Sequence, residues 1–267
     1  MSARRTLARL RRMGAAEIWF RARAAASSEF AFVLSRAQTP RWRRGHLAKL
    51  LKITGPLMEE AIASVRAGDW AAANAALVKN FRAAGRDARA HSDPPWDFGS
   101  VRDSVLARNP GAAADAREKA AGAALGRLSL LGYRDLDFRT GSSDGTSAID
   151  WTFDPAHQRR PPQAWRTRIP FLNAECGDHK IIWELNRHQH WLRLGRAAWL
   201  TGDPLYATAF RTQLAGWLQQ NPPGWGINWA SMLELSFRSI SWLWTLHMFA
   251  RLPGTATFEE GDQPWVA

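Results

Sequence analysis

The chain has 267 residues, 46% of them hydrophobic and 22% charged, which is a globular composition able to bury a large core in one domain or one and a half. Its single cysteine, Cys176, excludes an intrachain disulfide and a zinc site built on thiolates. The formal charge of +12 is concentrated in residues 1–52, where eleven Arg and two Lys face only Glu17 and Glu29, so the rest of the chain is nearly neutral.

The excess of 31 Arg over five Lys fits a GC-rich coding sequence and is not read as nucleic-acid recognition. The most apolar stretch, Ile240 to Ala250, is far shorter than the ~20 residues needed to cross a bilayer, so no integral membrane segment is expected. The start, MSARRTLARLRRMGAAEIWF, has the basic residues of a signal peptide but lacks the uninterrupted apolar run that should follow. Its Arg-rich, acid-poor character also resembles an organelle transit peptide. The plainest reading is an amphipathic surface helix with Leu7, Leu10, Met13 and Ile18 on one side.

In chain order, residues 1–52 form a basic helical leader of two short helices, broken near Thr39-Pro40. Residues 53–267 form the main domain. Residues 56–66 and 70–84 read as a helical pair, with Gly68-Asp69 as the turn and Asp69 as the cap of the second helix. After the polar break HSDPPWDFGS comes an alanine-rich helix over about 110–130, expected to end at Gly132. Residues 133–170 change character: YRDLDF and IDWTF alternate over short spans among Gly, Ser, Asp and Pro, which favours short strands in an extended arm.

From 178 onward three amphipathic helices are expected, packed antiparallel with no strand between them. The first spans about Lys180 to Leu200. Gly202 suits a left-handed helix end, Asp203 an N-cap and Pro204 a first helical position. The second helix carries one apolar stripe of Tyr206, Phe210, Leu214, Trp217 and Leu218, and stops at Asn221-Pro222-Pro223-Gly224. The third runs from near Asn228 to about Arg251. The final residues, 254–267, lack helical periodicity. Consecutive helices with short links stack as αα-hairpins, which makes the main domain all-α.

Eight of the fifteen tryptophans lie between 183 and 244. Aromatic faces stack on the C–H faces of sugars, so Trp among Asn, His, Glu and Arg suits a carbohydrate. Trp183, Trp191 and Trp199 are spaced as core residues are, whereas Trp225 and Trp229 sit at a Gly-rich turn and a helix start. The segment Glu184-Leu185-Asn186-Arg187-His188-Gln189-His190 puts six polar residues into a half-buried helix. They are either buried and hydrogen-bonded or lining a cleft. A metal at His179, His188 and His190 is disfavoured, since His188 and His190 point apart on a continuous helix. In the segment from Gly226 to Arg238, Asn228 is a candidate N-cap. Glu234 and Arg238 are four apart, which suits a helix ion pair, or an Arg238 that meets a sugar carboxylate while Glu234 holds it.

WELNRHQHWLRLGRAAWLTGDPLYA and the following NPPGWGINWASMLELSFRSISWLWTLHMF resemble the N-terminal domain of heparinase II/III-type polysaccharide lyases. RLRRMGAAEIWFRAR, LGYRDLDF and IDWTFDP are similar to the same family, in the same order. The resemblance implies an incomplete (α/α) toroid of antiparallel helical hairpins, followed in such enzymes by a β-sandwich domain. It also implies cleavage of uronic-acid polysaccharides by β-elimination, an acidic polysaccharide as partner, no cofactor, and a periplasmic location with a cytoplasmic alternative. The family's catalytic Asn-His pair, Tyr and His have no matching motif before the chain stops at TFEEGDQPWVA. The chain is therefore expected to be inactive alone and to miss a C-terminal β-rich domain. The substrate-binding candidates are Asn186, His188, Trp229, Glu234 and Arg238. The rival readings are a non-catalytic carbohydrate-binding or scaffold module, and a leader that docks on an anionic membrane or polymer.

Overall fold

The structure is a computed structural model that describes residues 13–37, 47–52, 55–84, 98–140 and 148–250. The chain divides into two units, Met1–Arg41 and Trp42–Ala267.

The described part of the first unit is one long helix, α1 (Ala15–Ala37), of which only Ser35 is buried. Two expectations for the leader, the stripe positions Leu7 and Leu10 and the break near Thr39-Pro40, lie outside the described residues. So do the end of the third expected helix at Arg251 and the tail 254–267.

The second unit begins with α2 (Leu47–Leu50) and the helical pair α3 (Pro56–Ala67) and α4 (Trp70–Ala84). The turn between the pair follows the sequence reading. Gly68 takes φ 77°, the Asp69 amide donates back to the Ser64 carbonyl, and the Asp69 carboxylate accepts from the Ala72 amide at 2.9 Å. Next come α5 (Phe98–Arg108) and α6 (Ala112–Ala124). The buried face of α6 is Ala112, Ala116, Ala120 and Ala123, side chains small enough to let it lie close against the helix Gln189–Thr201.

The alanine-rich helix is shorter than expected. It stops at Ala124, and β1 (Arg127–Leu130) pairs antiparallel with β2 (Tyr133–Asp137). Gly132 is not a helix end. With Leu131 at φ 52° and Gly132 at φ 88°, the two residues make the tight hairpin turn that needs positive φ at both centres. A second antiparallel pair joins β3 (Arg139–Thr140) to β4 (Ala148–Ile149), so the arm is made of short strands and extended chain.

Four helices, not three, follow: α7 (His179–Asn186), α8 (Gln189–Thr201), α9 (Leu205–Gln220) and α10 (Met232–Ala250). The first expected helix is interrupted because His188 adopts the left-handed conformation, φ 57° and ψ 24°. The third starts four residues late, after a single 3-10 turn at Ile227–Trp229. No named strand lies among these helices in the described residues; Trp225 makes one isolated bridge to Trp165 of the arm. Between α8 and α9, Gly202 has φ 72° and the Asp203 carboxylate accepts from the Leu205 amide at 2.9 Å, so the pair turns back as a hairpin.

α8 is the centre of the layer and packs against α6, α9 and α10. The core around it includes Trp151 of the arm, Leu185, Trp191, Leu194, Phe210, Trp217 and Phe249, all buried. Gly195 lies against α10 so closely that a Cβ there would sit 2.8 Å from the Met248 sulfur. The result is an all-α, toroid-like stack of helical hairpins with a stranded arm laid across it.

Candidate functional site

The arm and the helices are joined by buried side-chain hydrogen bonds. Asp154 is fully buried, and its carboxylate accepts from the amides of Ala156, His157 and Asp178 and from the His157 ring. This fixes the start of α7, where Asp178 accepts in turn from the Lys180 amide. Gln220 of α9 accepts from the Trp151 amide and donates to the Ile149 carbonyl. The Trp151 carbonyl then takes hydrogen bonds from both Asn186 (2.8 Å) and Asn228 (3.1 Å).

Asn186, at the end of α7, is wholly buried. Its amide donates to the carbonyls of Trp151 and Ile182, and its oxygen accepts from the Trp217 indole at 2.8 Å. Its own carbonyl, left over at the interrupted helix end, accepts from Arg238 Nε at 2.9 Å. Arg238 of α10 also donates through Nη2 to the Asn228 carbonyl at 2.9 Å, and its guanidinium lies 4.8 Å from the Trp217 ring centre and 5.9 Å from that of Trp229. Only 4% of Arg238 is exposed, and burial pulls its pKa down to about 10 against the opposing effect of Glu234.

The expected ion pair between Glu234 and Arg238 is not the one that forms. Glu234 is gripped by Arg187, with Nε 2.8 Å from Oε2 and Nη2 3.0 Å from Oε1. Arg187 also pairs with Glu184 and lies 4.8 Å from the Phe237 ring centre. Its pKa is raised, first by the hydrogen bond to Glu234 and then by the charges of Glu184 and Glu234, against desolvation. Asn228 is not the cap of α10 either. It is buried, and its amide reaches Trp151 and Asn221.

His188 is held among aromatic rings. Its ring stacks on Trp191 at 3.8 Å and meets Trp151 and Trp217 edge-on at 5.1 and 5.4 Å. Its Nδ1 accepts from the Trp242 indole at 2.6 Å, so the neutral ring carries its proton on Nε2. Burial, then the charges of Arg238 and His190, hold its pKa well below the usual histidine range. His190 is buried too and drops to about 3, chiefly by desolvation, with Gln213 as its partner. The two rings are not on one helix and do not point apart; their centres are 6.0 Å from each other. Among the described residues, no three His, Cys, Asp or Glu side chains gather as metal ligands.

All five candidate residues therefore belong to the packed junction of α7, α8, the Ile227–Trp229 turn and α10. Asn186, His188, Glu234 and Arg238 are at most 4% exposed, whereas Trp229 is half-buried and reaches solvent. Arg187 and Glu184 are also partly exposed, with side chains 24% and 19% exposed. The backbone around the turn is held close to the arm: Gly226 donates to Ala164, Arg166 donates to Gly224, and a Cβ on Gly224 would come within 2.6 Å of the Trp165 ring. The junction thus combines three partly exposed side chains, Trp229, Arg187 and Glu184, with a buried, hydrogen-bonded frame.

The model of the family described as Heparinase II/III N-terminus matches residues 48–258. The chain belongs to this family. No curated protein matches the chain. Among solved structures, heparan sulfate lyase HepC from Pedobacter heparinus and a mutant of it are each similar at 22% identity and a TM-score of 0.51. Each match covers 78% of this chain, and 27% and 28% respectively of the lyase chains. This member of the heparinase II/III N-terminus family thus spans little more than a quarter of those enzymes and shares the fold of that part.

Proposed function

We propose that the chain is the N-terminal substrate-cleft domain of a polysaccharide lyase that acts on uronic-acid-containing polysaccharides by β-elimination. The observation that carries this reading is the family match over residues 48–258, joined to a fold shared with a heparan sulfate lyase. The partly exposed Trp229 and Glu184 suit a sugar: an indole face for a ring and a carboxylate for hydroxyls. Asn186, His188, Glu234 and Arg238 serve the substrate from behind. They fix Trp229 and Arg187, so these side chains need no reordering when a sugar binds.

β-Elimination needs a base for the C5 proton, an acid for the leaving O4, and positive or hydrogen-bonding groups around the uronate carboxylate. Arg187 supplies neither the base nor the acid, and its charge is already met by Glu184 and Glu234. Tyr206 is buried in α9, and Tyr133 opens the β2 strand beside His157. We assign neither as the base, and place the acid and base on polypeptide beyond this chain. α10 supports that placement, because Leu233, Phe237, Ile240 and Trp244 form a partly exposed apolar stripe on which a continuing helical layer would pack. A polymer outside the cell meets the periplasm before the cytoplasm, so the reading also carries a periplasmic site of action.

The test is the ultraviolet absorbance of the unsaturated uronate product. A longer polypeptide that carries this chain and its downstream sequence is expected to release product from an acidic polysaccharide, and this chain alone is expected to release none. Turnover by the chain alone would place the acid and base among its own residues. Sugar binding with no turnover by either would favour the carbohydrate-binding module.

A further inference from the structure

α1 turns its largest apolar side chains outward. Trp19, Phe30, Val33 and Leu34 are 69%, 67%, 62% and 53% exposed. At 100° per residue, positions 11, 14 and 15 beyond Trp19 return to within about 60° of it, and Ala26 and Ala37 fall on the same line. The stripe is about 22 Å long. Phe20, 71% exposed, borders it. Other flanks carry the Glu17–Arg21 pair and the buried Ser35. No helix among the described residues is long and apolar enough to cross a membrane, so this one is suited to lie on a surface and not to span it.

The charge of the sequence that adjoins the helix names the surface. Within the same unit, residues 1–12 hold Arg4, Arg5, Arg9, Arg11 and Arg12, and Arg41 follows the helix, with no Asp or Glu in residues 1–12 or 38–41. Arg23 lies within the apolar stripe, where a long stem can stay among apolar groups while its head reaches phosphate. We propose that α1, with the basic sequence that adjoins it in its own unit, docks this protein on an anionic phospholipid bilayer. A nucleic acid or a free acidic polymer would use these six cations and leave Trp19 and Phe30 in water. An apolar groove on another protein would use the stripe and have no need of the cations. A bilayer with anionic headgroups uses both, and two weak signals together give stable attachment where one does not.

The test is flotation of the purified full chain with vesicles of equimolar phosphatidylglycerol and phosphatidylcholine, and with vesicles of phosphatidylcholine alone. Binding to the anionic vesicles is expected, at least about tenfold tighter than to the neutral ones, and weakened by high salt. The Trp19→Ser/Phe30→Ser double variant removes only exposed groups, and an unchanged helical circular-dichroism signal will show that α1 persists. It is expected to lose about tenfold or more in vesicle affinity while still binding soluble polyphosphate. Failure to float with anionic vesicles overturns the proposal. So does a double variant that floats as well as the parent, which would reduce the leader to a general polyanion binder.

Discussion

Arg187, at the end of α7, grips Glu234 of α10 through two hydrogen bonds across a separation of 47 residues, at 2.8 and 3.0 Å. This pair closes the junction and frees Arg238 to satisfy the carbonyls that the interrupted helix and the turn leave behind. Because Glu234 is 2% exposed, removing Arg187 strands its carboxylate, whereas removing Glu234 leaves Arg187 partly exposed and still paired with Glu184. Arg187→Ala is expected to cost about 3 kcal/mol in urea denaturation, and Glu234→Ala about 1–2 kcal/mol. The double variant should cost less than the sum, and additive losses would mean that the pair is not coupled.

Arg238→Ala removes two charge-assisted hydrogen bonds and leaves the carbonyls of Asn186 and Asn228 buried and unpaired. The expected loss is about 2–4 kcal/mol of stability. Arg238→Lys is expected to recover little, since one ammonium cannot reproduce the fork that spans both carbonyls. A stable Arg238→Ala with weakened sugar binding would make Arg238 a direct ligand.

These two residues also mark what the sequence discloses. The helical pair at 56–84, the Gly202-Asp203 turn and the stranded arm are local, and their signals are local: a glycine at positive φ, a capping carboxylate, alternation over five residues. The segment 184–190 stood out because six polar residues sit in a half-buried stretch. Which of them pairs with what is not local. Arg187 finds Glu234, Asn186 finds Trp151 and Trp217, and Gln213 finds His190, Trp191 and the Ala123 carbonyl. Spacing favoured Glu234 with Arg238 because four residues is one helical turn, but Arg238 lies deeper and meets backbone. The α7–α8 interruption gave no Gly or Pro to read. A ring held by four tryptophans keeps a histidine in a left-handed conformation that propensity disfavours.

His188 gives a direct measure of that constraint. His188→Gly and His188→Ala both lose the ring, but only glycine takes φ 57° without penalty. His188→Gly is expected to be more stable than His188→Ala by about 1 kcal/mol, read from denaturation midpoints. The reverse order would mean that the helix closes up across residue 188 once the ring is gone.

The buried histidines set a pH dependence. His188 is held well below the usual range and His190 at about 3, while in the unfolded chain both protonate near pH 6.5. Below about pH 6.5 the unfolded chain binds protons that the folded one does not, so stability is complete above that pH and falls as the pH drops. Each histidine contributes a slope of up to about 1.4 kcal/mol per pH unit, down to its folded pKa. Urea midpoints from pH 7 to pH 5 should show the fall, and His190→Gln should flatten it by about half. A flat profile would place a charged partner beside these rings.

The account rests on Trp229 as the sugar-facing member of a rigid junction. The most direct measurement is calorimetric titration of the purified chain, and of Trp229→Ala, with an acidic uronate oligosaccharide. Saturable binding is predicted for the parent chain, weakened by about 1–2 kcal/mol in Trp229→Ala while the denaturation midpoint moves little. No binding by the parent, or equal binding by the variant, would contradict the assignment of this junction as the substrate cleft.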